Sequence, residues 1–340
     1  MIRLLALSIL LLPCAAQESA VDQLKQPQLQ EIFQQLQTKS LAAAELNDEA
    51  LNRAAVQGLL QRLGTGAALV PADAKPTTGK LLSEMLPGNL AYLRPGTFGL
   101  EEIASLEVAL DALAASKATT LILDLRSPAS PGEPMAAREF LSRFLPDATP
   151  LFQVRTAGRE PPRPFISKGQ PHWQKPLLLL IDQETGNVAE LIAAVLQQKL
   201  GVWLIGTPTP GHACEYRMAP LTPAWQLRIA ESEALLEGDR TLYRTGLQPD
   251  LRCPFNLATK NTQFAESEKS GMKRFAYEVE RPRINEAALV GQTNPELSYQ
   301  LAQSAHQSTN FDRPIATDPV LQQAVDVLTA QEFLKASPAR

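Results

Sequence analysis

His212 and Cys214 stand two residues apart in this 340-residue sequence, just after a loop reading Gly206-Thr-Pro-Thr-Pro-Gly211. A thiol beside an imidazole is a pairing that can generate a nucleophile. Strand alternation puts the two side chains on one side only if the strand begins as early as His212. The plainer reading is a loop histidine followed by a cysteine held in a disulfide. His172, His212 and His306 are scattered without ligand spacing, so no metal site is expected. Gly64-Thr-Gly66 lacks a third glycine and a preceding strand, so no dinucleotide loop and no cofactor are expected. A net charge of −4 without a dense basic patch argues against nucleic acid as a partner.

Several elements must position these residues. Leu177–Ile181 is wholly apolar, too short for a helix and suited to a strand buried on both faces. Gly186 and Asn187 make a turn. Val188, Leu191, Ile192, Val195 and Leu196 then recur at helical spacing until Gly201, and Val202–Ile205 reads as the next strand. Upstream, Asn89–Leu93 and Thr119–Leu125 read as strands around an amphipathic helix at Glu101–Ser116, with Ile103, Leu106, Leu110 and Leu113 inward. A helix at Pro134–Leu145 and strands at Leu151–Arg155, Cys214–Pro220 and Trp225–Ala230 complete the pattern. Alternating strands and helices imply an α/β core with a largely parallel sheet and flanking helices. Trp173, Trp203 and Trp225 read as core or cleft residues rather than a ligand cage.

Three motifs point further. Glu190-Leu191, Gly206 and Thr209-Pro-Gly211 follow one another in a fixed register; Asp124-Leu125-Arg126 ends a strand; Gly246-Leu-Gln-Pro-Asp250-Leu closes the pattern. Together they resemble the core of the carboxyl-terminal processing (tail-specific) serine peptidases, continuously from Asn89 to Leu251. The fold this resemblance implies is ClpP/crotonase-like, with a small N-terminal helical segment. In the same register the family's nucleophilic serine falls on Asn187, its general-base lysine on His212, and the glutamine that orients the lysine on Tyr216. The glycine pair of the oxyanion loop falls on Ser130 and Pro131. An amide cannot serve as an acyl-forming nucleophile, and proline has no N–H to aim at an oxyanion. The resemblance therefore implies an exported protease-like protein without catalysis, which binds a peptide, an apolar ligand or a protein partner. Related domains in the retinoid-binding proteins of the eye bind without cutting. The alternative is an active serine-type or thiol-type endopeptidase with a displaced nucleophile. Cys214 beside His212 would supply it, or the Thr185 or Ser130 hydroxyl near the same pocket.

The chain opens with one positive charge, a short apolar run and Pro13-Cys-Ala-Ala16. This reads as a signal peptide over residues 1–16 and implies a periplasmic or extracellular protein. The run is too short to span a bilayer, and no other stretch could. Cleavage removes Cys14 and leaves Cys214 and Cys253 as a disulfide candidate, two separate buried thiols being the alternative. Residues 17–75 are expected to form an N-terminal helical segment and linker. Its second helix is capped by Asn47 or Asp48, turns Leu51, Ala54, Ala55, Leu59, Leu60 and Leu63 inward, and stops at Gly64. Gly64–Gly88 is too short for the PDZ domain that many members of the resembled family place there. The core is expected over 80–255. Residues 256–313 read as a polar insertion that is partly mobile, and 314–340 as a C-terminal helix with Leu321, Val325 and Leu328 inward.

Overall fold

The structure is a computed structural model and describes residues 21–74, 79–128, 132–276, 294–305 and 317–336. It divides into two units after Gly64. The first contains α1 (Gln26–Lys39) and α2 (Asp48–Leu63). Asn47 caps α2 by accepting the Ala50 N–H at 2.9 Å, and Gly64, at φ +55°, ends it. The residues expected to turn inward from α2 are not buried.

In chain order the second unit holds β1 (Ala67–Pro71), β2 (Leu82–Leu86), β3 (Leu90–Arg94), α3 (Ile103–Ala115), β4 (Thr120–Asp124), α4 (Pro134–Leu141), β5 (Pro150–Thr156), β6 (Arg163–Ile166) and β7 (Leu177–Ile181). Then come α5 (Asn187–Leu200), β8 (Trp203–Gly206), β9 (Cys214–Pro220), β10 (Trp225–Leu236), β11 (Arg240–Thr241), β12 (Leu251–Arg252), α6 (Leu257–Ser270), α7 (Pro295–Ser304) and α8 (Pro319–Ala336).

One sheet runs β12-β8-β7-β4-β3-β2, parallel throughout except for the antiparallel edge strand β2. Pleating sorts its side chains into two cores. Ala91, Leu93, Leu121, Leu123, Leu179 and Ile181 face α3 and α5. Leu90, Tyr92, Ile122, Leu178, Leu180 and Ile205 face α6 and α8. Burial on both faces is why these strands read as unbroken apolar runs.

A second sheet of six strands was not anticipated. It is antiparallel and built on the long strand β10, which pairs with β1, β5, β9 and β11. The short link between β9 and β10 permits only antiparallel pairing, because a parallel pair needs a long crossover. Residues within the expected N-terminal segment and linker contribute β1 to this sheet, while β2 lies in the expected core and joins the parallel one; 75–78 lie outside the described residues.

The supposed polar insertion also differs. Its first part forms α6, which buries Lys260, Gln263, Phe264 and Ser267, and is followed by the core residues Met272, Phe275 and Ala276. Three of the four buried helix residues are polar, so no apolar periodicity announced the helix. Residues 277–293 and 306–313 of that segment, the signal peptide at 1–16 with Cys14, and His306 lie outside the described residues. No helix among the described residues is long and apolar enough to cross a membrane.

Candidate functional site

Asn187 sits at the start of α5, just past the carboxyl end of β7, where helix N–H groups are unpaired and the helix dipole is positive. Its backbone is held at φ +49°, a left-handed conformation that strains most residues and that asparagine tolerates better than most. Its side-chain Oδ1 is buried and has no hydrogen-bond partner among the described residues.

The loop after β8 is brought against this helix start by backbone fit and by one carboxylate. Gly206, at φ +135°, packs so closely that an added Cβ would lie 1.9 Å from the Ile181 carbonyl oxygen. Gly246, at φ +64°, comes so near that a Cβ would lie 2.3 Å from the Thr209 carbonyl oxygen. Glu190, fully buried on the first turn of α5, accepts hydrogen bonds from the Thr209 hydroxyl, from Gly211 N–H at 2.8 Å and from His212 N–H at 2.6 Å. Burial raises the Glu190 carboxyl above its usual range, and these donors only partly offset that. Thr209 in turn receives the Leu247 N–H on its hydroxyl at 2.7 Å. The motif residues Glu190, Gly206, Thr209, Gly211 and Gly246 thus form one interlocked frame.

The frame carries His212 to the helix start. A Cβ added at Gly186 would lie 3.6 Å from His212 Cβ and 3.7 Å from its Nδ1. Burial, then the nearby Arg228, lowers the His212 pKa, so its imidazole is neutral at pH 7. Tyr216 meets His212 edge-on, ring centroids 6.5 Å apart; its hydroxyl donates to the Thr65 carbonyl at 3.0 Å, and Arg228 lies over its ring at 4.6 Å. Asn187 and Cys214 line one cavity of about 20 Å³ between α5 and β10, room for roughly a single water. Burial pushes the Cys214 thiol up to about 11. The Thr185 hydroxyl is fully buried and engaged, donating to the Leu125 carbonyl and accepting the Asp182 N–H, both at 2.9 Å. Ser130 and Pro131 lie outside the described residues.

The expected disulfide is corrected: Cys214 and Cys253 are both free thiols. Cys214 opens β9 in the antiparallel sheet, whereas Cys253 follows β12 at the edge of the parallel one. No cluster of metal-ligating side chains occurs among the described residues.

A second buried network, which the sequence did not reveal, holds the strand ends leading to Asn187. Arg126 donates to both oxygens of Asp124 (2.8 and 2.7 Å) and to both oxygens of Asp318 (3.1 and 2.7 Å). The Tyr92 hydroxyl donates to Asp124 at 2.8 Å. Lys260 Nζ, from α6, reaches Asp182 and Glu184 at 2.6 Å each and the Arg126 carbonyl at 2.8 Å. Lys260 therefore ties the segment after β4 to the turn that precedes Asn187. Arg94, Lys260 and Arg126 also stand 4.0, 5.3 and 5.4 Å from the Phe264 ring centroid, a cation–π cluster that seats α6.

Comparison with known proteins agrees with this architecture. Residues 89–253 match the model of peptidase family S41. A carboxyl-terminal-processing protease of Synechocystis is 25% identical over 171 residues, which is 50% of this chain and 39% of that protein. The chain thus spans well under half the length of that relative. Among solved structures, a candidate peptidase of Parabacteroides merdae aligns with a TM-score of 0.50 at 14% identity, over 64% of this chain and 79% of that one. The photosystem II D1 C-terminal processing protease aligns with a TM-score of 0.42 at 18% identity, over 56% of this chain and 48% of that one.

Proposed function

From the match of residues 89–253 to the model of peptidase family S41, we propose that the protein is an exported, catalytically inactive relative of the carboxyl-terminal processing proteases. It keeps a ClpP/crotonase-like core and uses the former cleft to hold a peptide, an apolar ligand or a protein partner. The observation that carries this reading is the amide of Asn187 at the start of α5, where the family register calls for a nucleophilic serine. An amide has no hydroxyl or thiol proton for a base to remove.

Nearby groups do not replace it. A thiol with a pKa of about 11 is ionised to only roughly one part in ten thousand at pH 7. The Thr185 hydroxyl is committed to the Leu125 carbonyl. Among the described residues the neutral His212 has no acidic partner in contact with its ring to raise its basicity. The reading is tested by exposing the native protein to a fluorophosphonate and to an alkylating thiol probe, then panning it against unstructured peptides. The expected result is no labelling by the fluorophosphonate, slow labelling of Cys214, and peptide retention that falls on Asn187→Trp. Rapid stoichiometric labelling of any side chain in the cleft would overturn it. Export is tested separately by N-terminal sequencing of the native protein, which should begin near Gln17.

A further inference from the structure

At the opposite ends of the parallel strands from Asn187 lies a cavity of about 390 Å³. Its wall includes Thr120, Leu177 and Trp203, the first residues of β4, β7 and β8, together with Leu200 at the end of α5 and Leu328 from α8. The volume is well above that of the cavity at Asn187 and within the range of small-molecule sites. Two large apolar side chains on this wall stay wet: Trp203 and Leu200 are each 47% exposed. The other strand-forming residues of β8 are fully buried. An indole left in water on a concave wall gains from an aromatic partner both apolar burial and ring stacking.

The polar groups of the wall restrict the charge of that partner. Trp173 Nε1–H is engaged by the Pro176 carbonyl at 3.3 Å, which fixes the ring. Lys175 Nζ donates to the Ala114 and Ala118 carbonyls at 2.9 Å each, at the negative end of α3. The ammonium also stands 5.5 Å from the Trp173 ring centroid; of its three donors two serve these carbonyls, and the third is the one an incoming acceptor can use. Among the described residues no acidic side chain lines the cavity, and Lys175 is the one charged side chain on its wall.

We propose that this cavity is a second ligand site, for a planar apolar ring compound bearing a carboxylate: the rings lie against Trp203 and Leu200, and the carboxylate accepts a hydrogen bond from the remaining N–H of Lys175. This site does not depend on what the cleft at Asn187 holds. The probes are 2-naphthoate and its cationic analogue 2-naphthylmethylammonium, titrated calorimetrically into the full-length mature protein. The naphthoate should bind saturably with a micromolar dissociation constant, and the cation at least about tenfold more weakly. Trp203→Ala should weaken naphthoate binding roughly tenfold. Lys175→Met should abolish the preference for the anion, and Asn187→Trp should change neither affinity. If Trp203→Ala does not fold, as judged by circular dichroism, Leu200→Glu on the exposed rim serves instead; it should repel the naphthoate and spare the cation. The proposal is overturned if no saturable heat appears up to about 1 mM naphthoate, or if naphthoate binds the folded Trp203 or Leu200 variant as it binds wild type.

Discussion

Glu190 and Asp124 are both fully buried carboxylates, one on each side of the segment leading to Asn187, yet their surroundings are opposite. Around Glu190 the donors are a hydroxyl and main-chain N–H groups, with no cation among its hydrogen-bond partners, and burial leaves its pKa raised. Burial pushes Asp124 upward too, but there Arg126, helped by Arg94 and Tyr92, outweighs it and holds the carboxyl below its usual range. The first region shapes a loop; the second clamps helices α6 and α8 to the sheet. Neither draws on the side chains of Asn187, His212 or Tyr216 for its hydrogen bonds. The hydrogen bonds of these two networks are therefore independent of which side chains stand at those three positions.

The largest effect should come from breaking the ionic clamp. Arg126→Met strands Asp124 and Asp318 in the interior and should lower the unfolding free energy by about 3–5 kcal/mol, read from urea melts at pH 7. Lys260→Met should cost less, about 2–3 kcal/mol, because Glu184 retains partial access to water. It should also loosen the turn before Asn187, seen as faster amide exchange over residues 182–187. Glu190→Gln replaces an acceptor oxygen with an NH₂ group facing N–H donors, and should cost about 1–3 kcal/mol at pH 7.

The two carboxylates should also separate by pH. Asp124 has a depressed pKa, so its stabilisation is present above its unfolded value and lost as pH falls through the lower folded one. Glu190 has a raised pKa, so its ionisation penalty is full above the folded value and disappears as pH falls toward the ordinary 4.5. The stability gap between wild type and Glu190→Gln should accordingly widen in favour of wild type between neutral pH and about 4.5. A gap that is constant with pH would show that Glu190 is not held ionised against its burial. The smallest effect should be at Asn187: Asn187→Ser should change stability by less than about 1 kcal/mol.

The contrast between the two regions also accounts for what could be read from sequence. Glu190, Gly206, Thr209, Gly211 and Gly246 are legible because close backbone approach and a buried carboxylate leave few alternatives, so residue type and spacing are both constrained. The strands β4 and β7 are legible because burial on both faces makes them uniformly apolar. The clamp is not. Lys260 lies in a helix whose buried face is mostly polar, and Asp318 and Arg126 are 192 positions apart, so only the folded chain shows them as partners. The antiparallel sheet was hidden for a related reason: β1 meets β10 through long-range pairing that no local pattern encodes. Counting cysteines leaves Cys214 and Cys253 open to pairing, and only the folded chain shows them as free thiols, one in β9 and one after β12.

Whether this core cuts peptides is tested most directly by turnover of an unfolded casein-like substrate by purified mature protein. Loss of the nucleophile alone typically removes on the order of 10⁶ in rate from a serine protease, and residues that act as a unit are not restored singly. Wild type and Asn187→Ser should therefore both be inert, with at most a trace of hydrolysis from the triple change Asn187→Ser, His212→Lys, Tyr216→Gln. Wild-type turnover that survives serine inhibitors and re-purification, and vanishes on Cys214→Ala, would contradict the account and assign catalysis to the thiol.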